Sequence, residues 1–148
     1  MEEYEMIAIG SDHGGYDLKM RVIAYLEEKQ IAYKDMGCDS KASVDYPSFG
    51  HAVAKAVADG SCEKGIVVCT TGIGISIAAN KVPGIRCALC SDTLSAKMTR
   101  LHNDANVLAL GGGMLGDNLA LDIVETFLNT PFSGEEKHQR RIDLLEKF

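Results

Sequence analysis

Five short apolar runs punctuate this chain: "MIAIG" (6–10), "IAYKD" (31–35), "GIVVC" (65–69), "RCALC" (86–90) and "NVLAL" (106–110). Longer stretches with helical periodicity separate them. Leu18, Val22 and Leu26 recur at spacing four and mark one helical stripe, and Ala52, Val53, Ala56 and Val57 repeat the pattern within 51–58. Further helices are expected over 74–81, 93–101, 116–129 and 135–147. Strands that alternate with helices form βαβ units and hence a parallel sheet with helices on both faces. The expected fold is therefore α/β, a three-layer α/β/α sandwich around a five-stranded parallel, Rossmann-like sheet. With 148 residues and no internal repeat or linker, one domain over 1–148 is expected.

The net charge of −6 argues against a nucleic-acid partner, since a phosphate backbone demands a basic patch. No apolar stretch approaches the roughly 20 residues of a membrane span. The opening "MEEYEM" has no cationic segment of the kind that starts an export signal, so a cytoplasmic protein is expected. Five cysteines in that setting read as free thiols. "CALC" is formally a Cys-x-x-Cys, but on a strand Cys87 and Cys90 point to opposite faces and suit burial better than redox or zinc chemistry. Cys38 and Cys62 lie in polar, turn-like surroundings and carry no signal.

In open parallel sheets ligands bind beyond the carboxyl ends of the strands. There the chain carries "SDHGG" (11–15), "CTTGIG" (69–74), "SD" (91–92) and "GGGMLGD" (111–117), with "RLHNDAN" (100–106) leading into the last strand. Asp12, His13, Cys69, Thr71, His102 and Asn103 are accordingly expected to converge on one edge. Each has a plainer explanation on its own: Asp12 as a helix cap, the histidines as surface groups, Cys69 as a buried strand-end thiol. Six polar or reactive residues at strand ends exceed what packing requires.

Cys69 carries the chemistry. Backbone N–H groups of residues 71–74 and the start of the next helix create a positive local potential, which favours a thiolate as base or nucleophile. The same groups can hold an oxyanion. A thiol beside an oxyanion hole suits acyl transfer or proton abstraction next to a carbonyl, and the residues alone leave both open.

"GSDHGGYDLK", "VDYP", "CTTGIGISIAANKVPGIR", "HNDANVLALGG" and "KHQRR" stand in the order and spacing of type B ribose-5-phosphate isomerases, which the chain resembles over essentially its whole length. Allose- and galactose-6-phosphate isomerases belong to the same wider family. The resemblance implies a cofactor-free and metal-free aldose–ketose isomerisation through a cis-enediolate, with ribose 5-phosphate as substrate. By this resemblance Cys69 is the base, Thr71 assists proton traffic at the oxygens, and the backbone around Thr70, Gly72 and Gly74 forms the anion hole. His102 helps open the sugar ring, Asp12 and Asn103 hold hydroxyls, and His13 and Tyr46 line the cleft. Lys137, His138 and Arg141 match the positions that grip phosphate. Family sites lie between subunits, which implies a homodimer or a dimer of dimers.

The chain departs from the family pattern in three places. Thr70 stands where a glycine is usual, Gly113 where an arginine is common, and Lys137 where another arginine is usual. These bear on which sugar phosphate is taken, and a hexose 6-phosphate isomerase or a non-catalytic sugar-phosphate binder is the alternative. A dinucleotide-binding reading of "GSDHGG" with Asp35 fails, because Gly10, Gly14 and Gly15 do not make G-x-G-x-x-G. A flavin-binding module of similar size is a further rival; the chain has no tryptophan to stack on the ring, which leaves that task to its tyrosines.

Overall fold

A computed structural model describes residues 6–148. Strands β1 (Ile7–Ser11), β2 (Tyr33–Asp35), β3 (Lys64–Cys69), β4 (Cys87–Leu89) and β5 (Val107–Gly111) form one parallel sheet in the order β2-β1-β3-β5-β4. The three central strands are buried along their whole length, whereas the edge strands β2 and β4 have three residues each and are partly exposed. Short edges limit the unpaired backbone offered to other chains.

Four helices connect the strands, α1 (Tyr16–Glu28), α2 (Tyr46–Ala58), α3 (Ile73–Asn80) and α4 (Thr93–Met98), and two follow the last strand, α5 (Asp117–Asn129) and α6 (Glu136–Leu145). Side chains of β3 alternate between two cores, as the pleat requires. Ile66 and Val68 pack with Leu18, Val22 and Leu26 of α1 and with Ile123 and Phe127 of α5. Val67 and Cys69 pack on the other face with Val53 and Val57 of α2 and Ile75 of α3. This is the expected three-layer arrangement. Cys90 and Cys87 likewise fall on opposite faces. Cys38 and Cys62, read from their polar neighbours as turn residues, are buried.

Two helices differ most from their expected limits, the others by one or two residues. The helix at 51–58 begins earlier, at Tyr46, because Pro47 in its first turn needs no N–H partner. The stretch 93–101 ends its α-helix at Met98 and continues as one wide π-turn, Thr99–Asn103, followed by Asp104 at φ 46°. Arg100 turns inward here. Its Nε donates to Thr130 O at 3.0 Å and its Nη1 donates to Asp104 Oδ1 and Ala105 O, each at 2.8 Å. Its guanidinium also lies 5.7 Å from the Phe127 ring centre.

Asp104 is partly exposed, so the cost of losing Arg100 falls mainly on the Thr130 and Ala105 carbonyls left without their donor. Arg100→Ala should lower the urea-unfolding free energy by about 2 kcal/mol, a loss that Arg100→Lys only partly recovers. Unchanged stability of Arg100→Ala would show that the turn does not depend on this side chain.

Candidate active site

β3 ends at Cys69, where the sheet gives way to the first turn of α3. Cys69 is buried, and its Sγ accepts a hydrogen bond from the Gly72 N–H at 3.1 Å. Gly72 caps α3 at φ +79°, and a Cβ there would lie 2.6 Å from Leu89 Cδ1 and 2.8 Å from the Leu110 carbonyl carbon. Only glycine fits this bend, so the bend that aims an N–H at the thiol is written into the sequence. Ile73 N–H donates to Thr71 Oγ1 at 3.2 Å. Tyr46 closes over the same helix start: a Cβ at Gly74 would be 2.7 Å from its ring carbon Cζ.

The loop after β1 lies alongside. Asp12 is buried, and its Oδ1 accepts from the Gly15 N–H at 3.0 Å. The Val44 N–H donates to His13 Nδ1 at 3.2 Å, so the neutral ring carries its proton on Nε2. The loop after β5 closes the group, with the Gly112 and Gly113 N–H groups donating to the carbonyls of Cys69 and Thr70 at 2.8 Å each. Asp12, His13, Tyr46, Cys69, Thr70, Thr71, Gly72 and Gly74 thus share the carboxyl edge of the sheet.

His102 and Asn103, expected at that edge, are at the opposite one. Asn103 O accepts from Arg86 Nε at 2.8 Å, and Arg86 immediately precedes β4. The Gly65 N–H at the start of β3 donates to Asn106 O at 2.9 Å. The reason is geometric: α4 starts at the carboxyl end of β4 and must return the chain to the amino end of β5. The six residues of β3 separate the two edges by about 17 Å at 3.3 Å per residue.

A second cluster forms at the amino edge. His102 and Asn103 line a cleft of ≈ 530 Å³ together with Lys137, His138 and Arg141 of α6. The rings of His102 and His138 lie 4.2 Å apart, centre to centre. His138 Nδ1 is 3.1 Å from Ser133 Oγ and 3.2 Å from Glu135 Oε2. Burial, and then the neighbouring His102, push the His138 pKa below the ordinary histidine value, against the pull of Glu135. His138 therefore stays neutral at physiological pH, and the cleft's fixed positive charge comes from Lys137 and Arg141.

The other cysteines are set up differently. Burial raises the pKa of Cys62 and Cys87 and pushes Cys90 up to about 11. These thiols remain protonated and inert. Among the described residues no group of three or more His, Cys, Asp or Glu side chains gathers as a metal site, and no helix is long and apolar enough to cross a membrane.

Sequence reasoning missed Lys19, which is fully buried on α1. Its Nζ donates to both Asp35 oxygens, at 2.8 and 3.1 Å, and to the Cys38 carbonyl. It fastens the loop that runs from β2 past His13 to Tyr46. The only available signal was its spacing in "DLKM", one position beyond Leu18 on the buried stripe.

The chain matches the Ribose/Galactose Isomerase family model over residues 7–145. It is 51% identical to ribose-5-phosphate isomerase B of Clostridium thermocellum, with a TM-score of 0.94 and 96% of this chain and 95% of that one covered. Ribose-5-phosphate isomerase B of Escherichia coli is 45% identical, over 94% of this chain and 93% of the relative. Ribose-5-phosphate isomerase B of Mycoplasma genitalium, solved with bound ribulose-5-phosphate, is 40% identical with a TM-score of 0.91, covering 96% and 94%. The chain belongs to the ribose/galactose isomerase family and is an aldose–ketose isomerase.

Proposed function

We propose that this isomerase acts on a sugar phosphate, interconverting ribose 5-phosphate and ribulose 5-phosphate without a cofactor, at sites each shared by two copies of the chain. The observation that carries the reading is the hydrogen bond from the Gly72 N–H to Cys69 Sγ at the head of α3. A thiolate is stabilised by such a donor and by a helix N-terminus. In the open-chain aldose, Cys69 removes the C2 proton. The electron pair forms the C1–C2 double bond of a cis-enediolate, and the thiol then returns the proton to C1. Thr71 relays the proton between the two oxygens, and the backbone from Thr70 to Gly74 stabilises the oxyanion.

The remaining roles belong to the other edge. His102 opens the ring, Asn103 binds a hydroxyl, and Lys137, His138 and Arg141 hold the phosphate. A pentose phosphate is far shorter than the distance of about 17 Å between the two edges of one chain. It can touch Cys69 and His102 together only if a second copy brings its amino-edge cluster to the first copy's carboxyl edge. Exposed Ile73 and Ile77, one turn apart on α3, and exposed Leu89 on the adjoining edge strand offer that copy an apolar face beside the Cys69 loop. A homodimer or a dimer of dimers follows from this reading.

General acid–base groups typically contribute ~10²–10⁴-fold in rate. Cys69→Ala should lose at least ~10²-fold in turnover of ribose 5-phosphate, with a melting temperature near wild type. Near-normal turnover of the folded variant would reject Cys69 as the base. Subunit mixing tests the shared site: Cys69→Ala and His102→Asn should each lose most activity alone, but co-refolded together they should form hybrids with one intact site. Recovery of activity on mixing is expected. Its absence, with hybrids demonstrated by native mass spectrometry, would confine the site to one chain.

A further inference from the structure

At the carboxyl edge, Thr70 stands with its side chain between two glycine-bearing loops. A Cβ added at Gly14 would lie 2.0 Å from Thr70 Oγ1. One added at Gly113 would lie 2.8 Å from Thr70 Cγ2 and 3.1 Å from Thr70 O. Real side chains do not approach this closely, so both substituents of the Thr70 Cβ use space that glycine at 14 and 113 leaves open. Threonine is stiff about χ1, and clearing position 113 requires turning its methyl out of the place it occupies. Thr70 and Gly113 are both exposed, next to buried Cys69, so they form the rim of the thiol's site.

The charge around this rim is uneven. The residues gathered with Cys69, namely Asp12, His13, Tyr46, Thr70 and Thr71, include no lysine or arginine. The cations line the amino-edge cleft as Lys137 and Arg141. We infer that Thr70 and Gly113 act as one specificity-determining unit. The Thr70 side chain forms a compact, neutral wall at the thiol's rim, and position 113 stays empty to admit it. The substrate's anionic end is then held by the amino-edge cations alone, and the wall keeps any side chain at 113 from reaching it. This rests on the sugar phosphate reading above and deepens it.

The two positions must therefore be strongly non-additive. A guanidinium placed at 113 should help an anionic substrate only once the opposing methyl is gone. The experiment compares wild type, Thr70→Ser, Gly113→Arg and the double variant. Thr70→Ser deletes only the methyl that faces Gly113 and keeps the hydroxyl. Melting temperature, read without substrate, and KM for ribose 5-phosphate are measured on all four.

Gly113→Arg alone should melt several degrees lower and show no fall in KM. The double variant should regain most of the melting temperature and bind ribose 5-phosphate about tenfold more tightly than wild type, the gain expected of one added charged hydrogen bond. Additive melting temperatures would overturn the coupling. A KM that falls equally in the single and double variants, or in neither, would overturn the specificity role. A wild type that turns over no ribose 5-phosphate would refute the proposed reaction, while the melting temperatures would still decide the coupling.

Discussion

Parallel pairing of β3 between β1 and β5 is the constraint from which the rest of the molecule follows. Parallel neighbours cannot be joined by a hairpin, so each connection must leave a strand at its carboxyl end and recross a face of the sheet. Every strand therefore ends in a loop that is free to carry chemistry, and every crossover helix returns the chain to the amino edge. Strand order makes the central crevice deeper. From β1 the chain turns to β2 on one side, and from β3 it turns to β4 on the other, so the β1 and β3 loops diverge at a switch point, where open sheets bind ligands. Asp12, His13 and Cys69 border that crevice.

Within the crevice, fine chemistry depends on backbone rather than on charged side chains. Cys69 has a backbone N–H donor at 3.1 Å and a helix start behind it, whereas burial first, and then Cys90 beside Cys87 and Asp92 beside Cys90, keep those two thiols protonated. The distinction between five chemically identical side chains is thus one of surroundings. Charged groups are used instead to fasten segments. Lys19 ties the β2–α2 loop through Asp35 and the Cys38 carbonyl, and Arg100 ties the π-turn through Asp104, Ala105 and Thr130. Both are buried cations whose donors are matched by acceptors, the condition under which such burial is tolerated.

The two fastened segments lie on either side of the proposed chemistry. One leads to Tyr46 over the thiol's helix, and the other presents His102 to His138 of α6. A wide π-turn in place of α-helix is a frequent mark of functional positions. Here it accompanies the inward turn of Arg100 and is followed within one residue by the left-handed Asp104.

Strand number, helix number, the parallel sheet and the Cys69 loop were all legible in the residue order. Those features rest on local periodicity and on glycines whose geometry no other residue satisfies, such as Gly72 at φ +79°. Helix limits were less so, because Pro47 starts a helix by lacking an N–H and the turn around Arg100 is held by hydrogen bonds, and spacing shows neither. The burial of Lys19 could not be read from "DLKM", since its partners lie 16 and 19 residues further on. The largest difference concerns the six polar residues expected on one edge. Sequence proximity to strand ends says that a residue is near the sheet, but not near which edge. Only the direction of α4, which runs back toward the amino ends, separates His102 and Asn103 from Cys69. The amino-acid order determined which chemical groups the protein owns and which loop holds the thiol, because those depend on neighbours in the chain. Tertiary structure decided which groups meet, because that depends on how far a helix carries the chain before the next strand can pair.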